Sequence, residues 1–238
     1  MGDKSGIKLL LLPYAGGSAL FYTHWEKYLK ENIEIIPIEF PGRGLRFKEK
    51  PCDKISDLID SIWDTVEREI KNQRYVIFGY CVGTIVLYEL FRLIRKNKLT
   101  EPEHCFICAY SPPNLIKNVV DEKNISEEEL LLEWCTKSRI SRELLEEKAY
   151  LKIFYDVWKL DRKMVNNYIF NGNIELFNCN ITLISGDEDF ALCQKDIECW
   201  KDFTRGSVEN IVVKGSHDFL KTNEKSVVKI INTTLEKF

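Results

Sequence analysis

Short apolar runs alternate with amphipathic stretches along most of this chain. Ile7–Leu12 is an apolar run closed by Pro13, and residues 33–38 form another that ends at Phe40-Pro41-Gly42. Runs of this length bounded by Pro and Gly predict buried strands. Between them, Phe21, Trp25, Tyr28 and Leu29 recur at helical spacing. Ile55, Leu58, Ile59, Ile62, Trp63, Val66 and Ile70 mark one face of a longer helix. Residues 75–78 predict a third strand, and 84–93 a helix apolar nearly all round and therefore buried. Residues 105–110, 181–185 and 208–213 predict three more strands. Strands separated by helices require right-handed crossovers, so the expected fold is α/β, with a mostly parallel sheet and helices on both faces.

The alternation breaks between residues 112 and 178. That stretch predicts helices and no strand. A capping box, Ser126-Glu127-Glu128-Glu129, leads into Leu130-Leu131-Leu132. A second helix is expected from Ser141, and a third, rich in aromatic residues, over 153–168. About sixty residues exceed what a simple connection needs. The expected arrangement is one domain, 1–238, whose 112–178 insertion forms a helical lid over the carboxyl ends of the strands, where open α/β sheets bind ligands.

Composition narrows the class. The chain has 238 residues, 45% of them hydrophobic, and a formal charge of −3. There is no basic excess of the kind that nucleic-acid binding needs. No apolar run approaches the roughly 18 residues of a membrane span, and no secretory signal pattern is present. A cytoplasmic monomer is expected. Eight cysteines in a chain of this size read as core residues and reactive thiols rather than a disulfide framework. Cys105-Phe106-Ile107-Cys108 has C-x-x-C spacing, but no second ligand pair completes a zinc site, and no metal or cofactor is expected.

The strongest chemical signal is Phe78-Gly79-Tyr80-Cys81-Val82-Gly83-Thr84, which follows an apolar run and precedes a helix. This is the context of the G-x-S-x-G nucleophile elbow, with Cys in place of Ser. Glycines two positions either side of Cys81 let strand and helix approach. The turn places Cys81 at the helix start, where the dipole favours an anion, and aims the Val82 N–H at a developing oxyanion. The chain has three histidines, His24, His104 and His217, and only His217 falls on a loop after a predicted strand. Ser185-Gly186-Asp187-Glu188-Asp189 supplies an acid to orient it; Asp189 is favoured and Asp187 is the alternative. The order Cys81, Asp189, His217 is the nucleophile–acid–base order of α/β-hydrolases. The glycine-rich stretch Leu12-Pro13-Tyr14-Ala15-Gly16-Gly17-Ser18 can supply a second oxyanion donor, assigned to Ala15. It lacks both the G-x-G-x-x-G and G-K-S/T patterns of nucleotide sites.

These segments, with Phe40-Pro41-Gly42-Arg43-Gly44, Gly215 to Phe219 and Trp158-Lys159-Leu160-Asp161, resemble type II thioesterases of nonribosomal peptide and polyketide synthesis. The resemblance runs from about Leu9 to Leu220. It implies an α/β-hydrolase fold, a nucleophile at Cys81, acid at Asp189 and base at His217. It also implies oxyanion donors at Ala15 and Val82, and substrate contacts from Tyr14, Tyr80 and Trp158. The implied substrate is an acyl or peptidyl group on the phosphopantetheine arm of a carrier protein. The sequence departs from the family at Tyr80, usually His, at Cys81, usually Ser, and at Asp218, usually aromatic. A Cys nucleophile admits a second outcome, because thioester exchange is nearly isoenergetic: an acyltransferase or cyclase that passes the acyl group to an amine or carbon nucleophile. A dienelactone-hydrolase-like enzyme shares the Cys-His-Asp set but not the glycine-loop and Arg43 motifs. A non-catalytic carrier-protein binder has no use for all three groups.

Overall fold

The computed structural model describes residues 6–116, 126–137, 148–189 and 192–238. Six strands form one sheet: β1 (Ile7–Leu12), β2 (Ile33–Pro37), β3 (Tyr75–Tyr80), β4 (His104–Cys108), β5 (Asn180–Gly186) and β6 (Val208–Val213). Their order is β2-β1-β3-β4-β5-β6, and every neighbouring pair is parallel. Burial on both faces explains why β1, β3, β4 and β5 read as apolar runs, whereas the edge strands β2 and β6 are partly exposed. Leu10, Leu12, Ile77 and Ile107 face one core, shared with α1 (Ile55–Ile70) and α2 (Val82–Lys96). Leu9, Leu11, Phe78 and Phe106 face the other, closed by Tyr22, Trp25 and the C-terminal helix Glu224–Leu235.

Two local differences from the sequence pattern have physical causes. The segment after β1 is a 3₁₀ helix, Ala19–Lys27, rather than an α-helix. Its buried residues are Ala19, Tyr22 and Trp25, spaced by three. A three-residue turn puts all three on one face, which an α-turn does not. Strand β4 stops at Cys108 because Ala109 has φ 54°, which ends extended backbone. Cys105 and Cys108 belong to cores on opposite faces of the sheet, so the C-x-x-C pair cannot grip one ion.

Within 112–178 the described residues carry two α-helices, α3 (Glu127–Lys137) and α4 (Lys148–Asn166). Ser126 and Glu129 make the reciprocal bonds of a capping box, with Glu129 N–H donating to Ser126 Oγ at 3.2 Å and Ser126 N–H to Glu129 Oε2 at 2.8 Å. Leu130, Trp134, Leu151 and Tyr155 form a small apolar cluster of their own. Farther along the chain, Met164 and Tyr168 join the main core. The helix expected from Ser141, with Leu144, lies outside the described residues. Among the described residues no helix is long and apolar enough to cross a membrane.

Candidate active site

The site is assembled at the carboxyl ends of β1, β3, β5 and β6. Strand β3 ends at Tyr80, and α2 begins at Val82, leaving Cys81 to turn the chain. Cys81 has φ 53° and ψ −120°, a conformation costly for a residue with a side chain. Its N–H donates to the Cys108 carbonyl at 2.9 Å, which holds the turn against β4. The two glycines are sterically required. A Cβ on Gly79 would lie 2.6 Å from the Gly83 carbonyl oxygen, and one on Gly83 would lie 2.5 Å from the Leu12 carbonyl oxygen. The α2 helix therefore starts in contact with the end of β1, close to the glycine-rich loop.

His217 stands on the loop after β6. Its Nδ1 is 2.8 Å from Asp189 Oδ2, and its side chain also hydrogen-bonds with Cys81. Nδ1 faces Asp189, so Nε2 is the nitrogen available to the sulfur. Burial opposes the charged imidazole, but negative charge at Cys81 and the bonds to Asp189 and Cys81 outweigh it and raise the His217 pKa to about 10. The Asp189 side chain is 1% exposed. Asp187, the alternative acid, is engaged elsewhere and accepts from Gly215 N–H at 2.9 Å. The other two histidines are occupied away from the site: His24 lies 2.7 Å from Glu224, and His104, buried in β4, lies 2.9 Å from Thr182 Oγ1.

The residues at the family departures are integrated into this arrangement. The Tyr80 hydroxyl donates to the backbone carbonyl of His217, and its ring packs edge-on against Phe219. Burial pushes the Tyr80 phenol up, so it stays protonated and donates. Tyr80 thus braces the His217 backbone from behind. Asp218 accepts from Ser216 Oγ at 2.6 Å and braces the same loop. Tyr14 lies edge-on to Tyr80 and Phe21 in the loop after β1. Ala15 N–H takes part in none of the turn and loop hydrogen bonds among the described residues. Val82 N–H opens α2, where no intrahelical acceptor exists. Trp158, on α4, stacks on Tyr155 at 5.9 Å and lies against Gly16.

A buried ion pair crosses the site from α4 to these loops. Arg43 donates to both Asp161 oxygens, at 2.5 and 2.6 Å, and both side chains are less than a tenth exposed. Asp161 Oδ2 also accepts from Gly16 N–H at 2.7 Å. Sequence reasoning reaches Arg43 and Asp161 only as motif letters. The available signal is one of each charge, each in a family motif, but 118 positions apart.

A sequence model of the thioesterase domain family matches residues 7–235. The chain belongs to this family. Among its relatives is a Brevibacillus parabrevis protein named linear gramicidin dehydrogenase LgrE, 26% identical over 241 residues, covering 100% of this chain and 91% of LgrE. The dinucleotide fingerprint that a dehydrogenase name suggests is missing from the glycine loop here. Among solved structures, ClbQ from the colibactin nonribosomal peptide and polyketide pathway superposes with a TM-score of 0.89 at 27% identity, covering 98% of each chain. The type II thioesterase BorB from the borrelidin biosynthetic cluster shares the fold, with a TM-score of 0.84 at 22% identity over 97% of this chain and 93% of BorB. The family therefore places the thioesterase, α/β-hydrolase fold on the sheet described above, and its relatives include type II thioesterases of nonribosomal peptide and polyketide pathways.

Proposed function

We propose that this thioesterase-family chain removes acyl groups from the phosphopantetheine arm of a carrier protein through an acyl-Cys81 intermediate. The observation that carries the reading is the strained elbow at Cys81, with φ 53°, joined through His217 to the buried Asp189. Cys81 sulfur attacks the thioester carbonyl, and the carbonyl electron pair moves to oxygen. Ala15 and Val82 N–H groups are assigned to receive that oxyanion. Collapse of the adduct expels the pantetheine sulfur, which takes the Nε2 proton of the His217 imidazolium. Water then attacks the acyl-Cys81 carbonyl while His217 takes its proton, and the carboxylic acid leaves as Cys81 is restored. Asp189 holds the imidazole and supports its charge. Tyr14 and Trp158 are assigned to the walls of the passage, and the 112–178 insertion to its cover. The sulfur nucleophile also favours a second reading, in which an amine or carbon nucleophile replaces water in the last step.

Incubation with an acyl-loaded carrier protein tests both readings. Mass spectrometry is expected to show an acyl adduct on Cys81 and release of the free acid. A Cys81→Ala variant as fast as wild type would remove Cys81 from the mechanism. Acyl product in place of acid would establish transfer.

A further inference from the structure

We propose that Arg43 and Asp161 are positioning residues: their buried pair ties α4 to the loop after β1 and sets the Ala15 N–H for the oxyanion, so that seating the helix and completing the oxyanion hole are one event. This rests on the acyl-Cys81 reading above. The geometry is specific. Gly16 N–H, one residue past Ala15, donates to Asp161 Oδ2 at 2.7 Å, and Arg43 donates to the Gly17 carbonyl at 3.3 Å. The same carboxylate is held by both terminal nitrogens of Arg43. On the other side of the loop, Glu39 accepts from Ser18 Oγ at 2.6 Å and Ala19 N–H at 3.1 Å. Residues 16–19 are thus fixed by charged side chains from the end of β2 and from α4. Gly16 has φ 74°, and a Cβ there would lie 3.0 Å from Trp158 Cβ, so helix and loop are in direct contact.

Stability alone does not account for this arrangement. A buried ion pair contributes little net stability, because its attraction is offset by lost hydration. Here the cost is not even fully met, since Arg43 Nε is buried without a hydrogen-bond partner. What the pair supplies is geometry: two parallel bonds that orient one carboxylate, whose spare lone pair orients one peptide. That peptide adjoins the assigned oxyanion donor. A donor displaced by about 1 Å lowers such rates about 10²-fold.

Two rates separate positioning from scaffolding. Acylation of Cys81 by a small acyl thioester forms an oxyanion; alkylation of Cys81 by iodoacetamide does not. In Asp161→Asn, one amide hydrogen must face either Gly16 N–H or Arg43. Acylation is expected to fall about 10²-fold while alkylation stays at the wild-type rate. Arg43→Lys keeps the charge but not the paired bonds, and is expected to show a smaller loss of the same kind; it serves if Asp161→Asn does not fold. Equal slowing of both rates, or no change in either, overturns the positioning role. Failure of the underlying reading looks different: iodoacetamide would then label Cys81 without abolishing thioester cleavage in the wild-type protein.

Discussion

At the scale of single residues, the distinctive choice is sulfur at the elbow. It changes the charge state of its neighbour. The His217 pKa, raised to about 10 against burial, means the imidazolium is fully present at neutral pH and is lost as pH rises through that value. On the proposed mechanism, an imidazolium is the form that protonates the departing pantetheine sulfur. The acylation rate is therefore expected to hold through neutral pH and to fall near pH 10. Cys81→Ser removes the main support for the charge. The imidazole must then act as a neutral base, so the rate of Cys81→Ser is expected to rise with pH through the lowered His217 pKa. Asp189→Asn removes a smaller support, and is expected to move the alkaline fall to lower pH. Single-turnover pH profiles of the three proteins check this, and superimposable profiles would count against coupling between Cys81 and His217. The nucleophile, base and acid candidates were legible because each sits in a local pattern: glycines around Cys81, and short loops after strands for Asp189 and His217. That the Tyr80 hydroxyl reaches the His217 carbonyl was not legible, because no local pattern shows a contact between segments so far apart.

At the scale of elements, all six strands and the helices α1 and α2 follow from apolar spacing; the pattern is strongest in β1, β3, β4 and β5, which are buried on both faces, and weakest in the partly exposed edge strand β6. The 3₁₀ helix after β1 escaped because Phe21 and Trp25 also fit an α-helical spacing; only burial of Ala19, Tyr22 and Trp25 distinguishes the two. The Arg43–Asp161 pair escaped because a contact between distant segments has no local signature. The insertion has its own consequence. Leu130, Trp134, Leu151 and Tyr155 cluster apart from the two main cores. Trp134→Ala, which deletes a buried indole at a cost of about 3–5 kcal/mol, is expected to loosen α3 without unfolding the sheet. Amide exchange checks this: faster exchange in α3, unchanged exchange in β1 and β3. On α4, Ile153 and Phe154 are 61% and 47% exposed, whereas Trp158 lies against Gly16. Trp158→Gln is expected to change the preference between short and long acyl groups, whereas Ile153→Gln is not. If both variants match wild type on a series of acyl thioesters, the helix does not select substrate.

At the scale of the whole molecule, the sheet serves two cores at once, and Phe78 shows how closely structure and site are joined. Its ring is fully buried between Tyr22, Trp25 and Phe106, three residues before Cys81. Phe78→Ala is expected to cost about 3–5 kcal/mol, a large part of a typical stability of about 5–15 kcal/mol. Urea unfolding is expected to show the midpoint drop, with activity lost along with the folded fraction. The unbroken parallel order of the strands also bears on how the protein comes into being. No strand pair can close through a hairpin, so every pairing waits for a long crossover to be threaded, and folding of such topologies is slow. Cys81 follows the third strand, Asp189 the fifth and His217 the sixth. On the proposed mechanism, a nascent chain carries the Cys81 thiol before the groups that would direct it have been made, and chemical competence arrives only when β6 joins the edge.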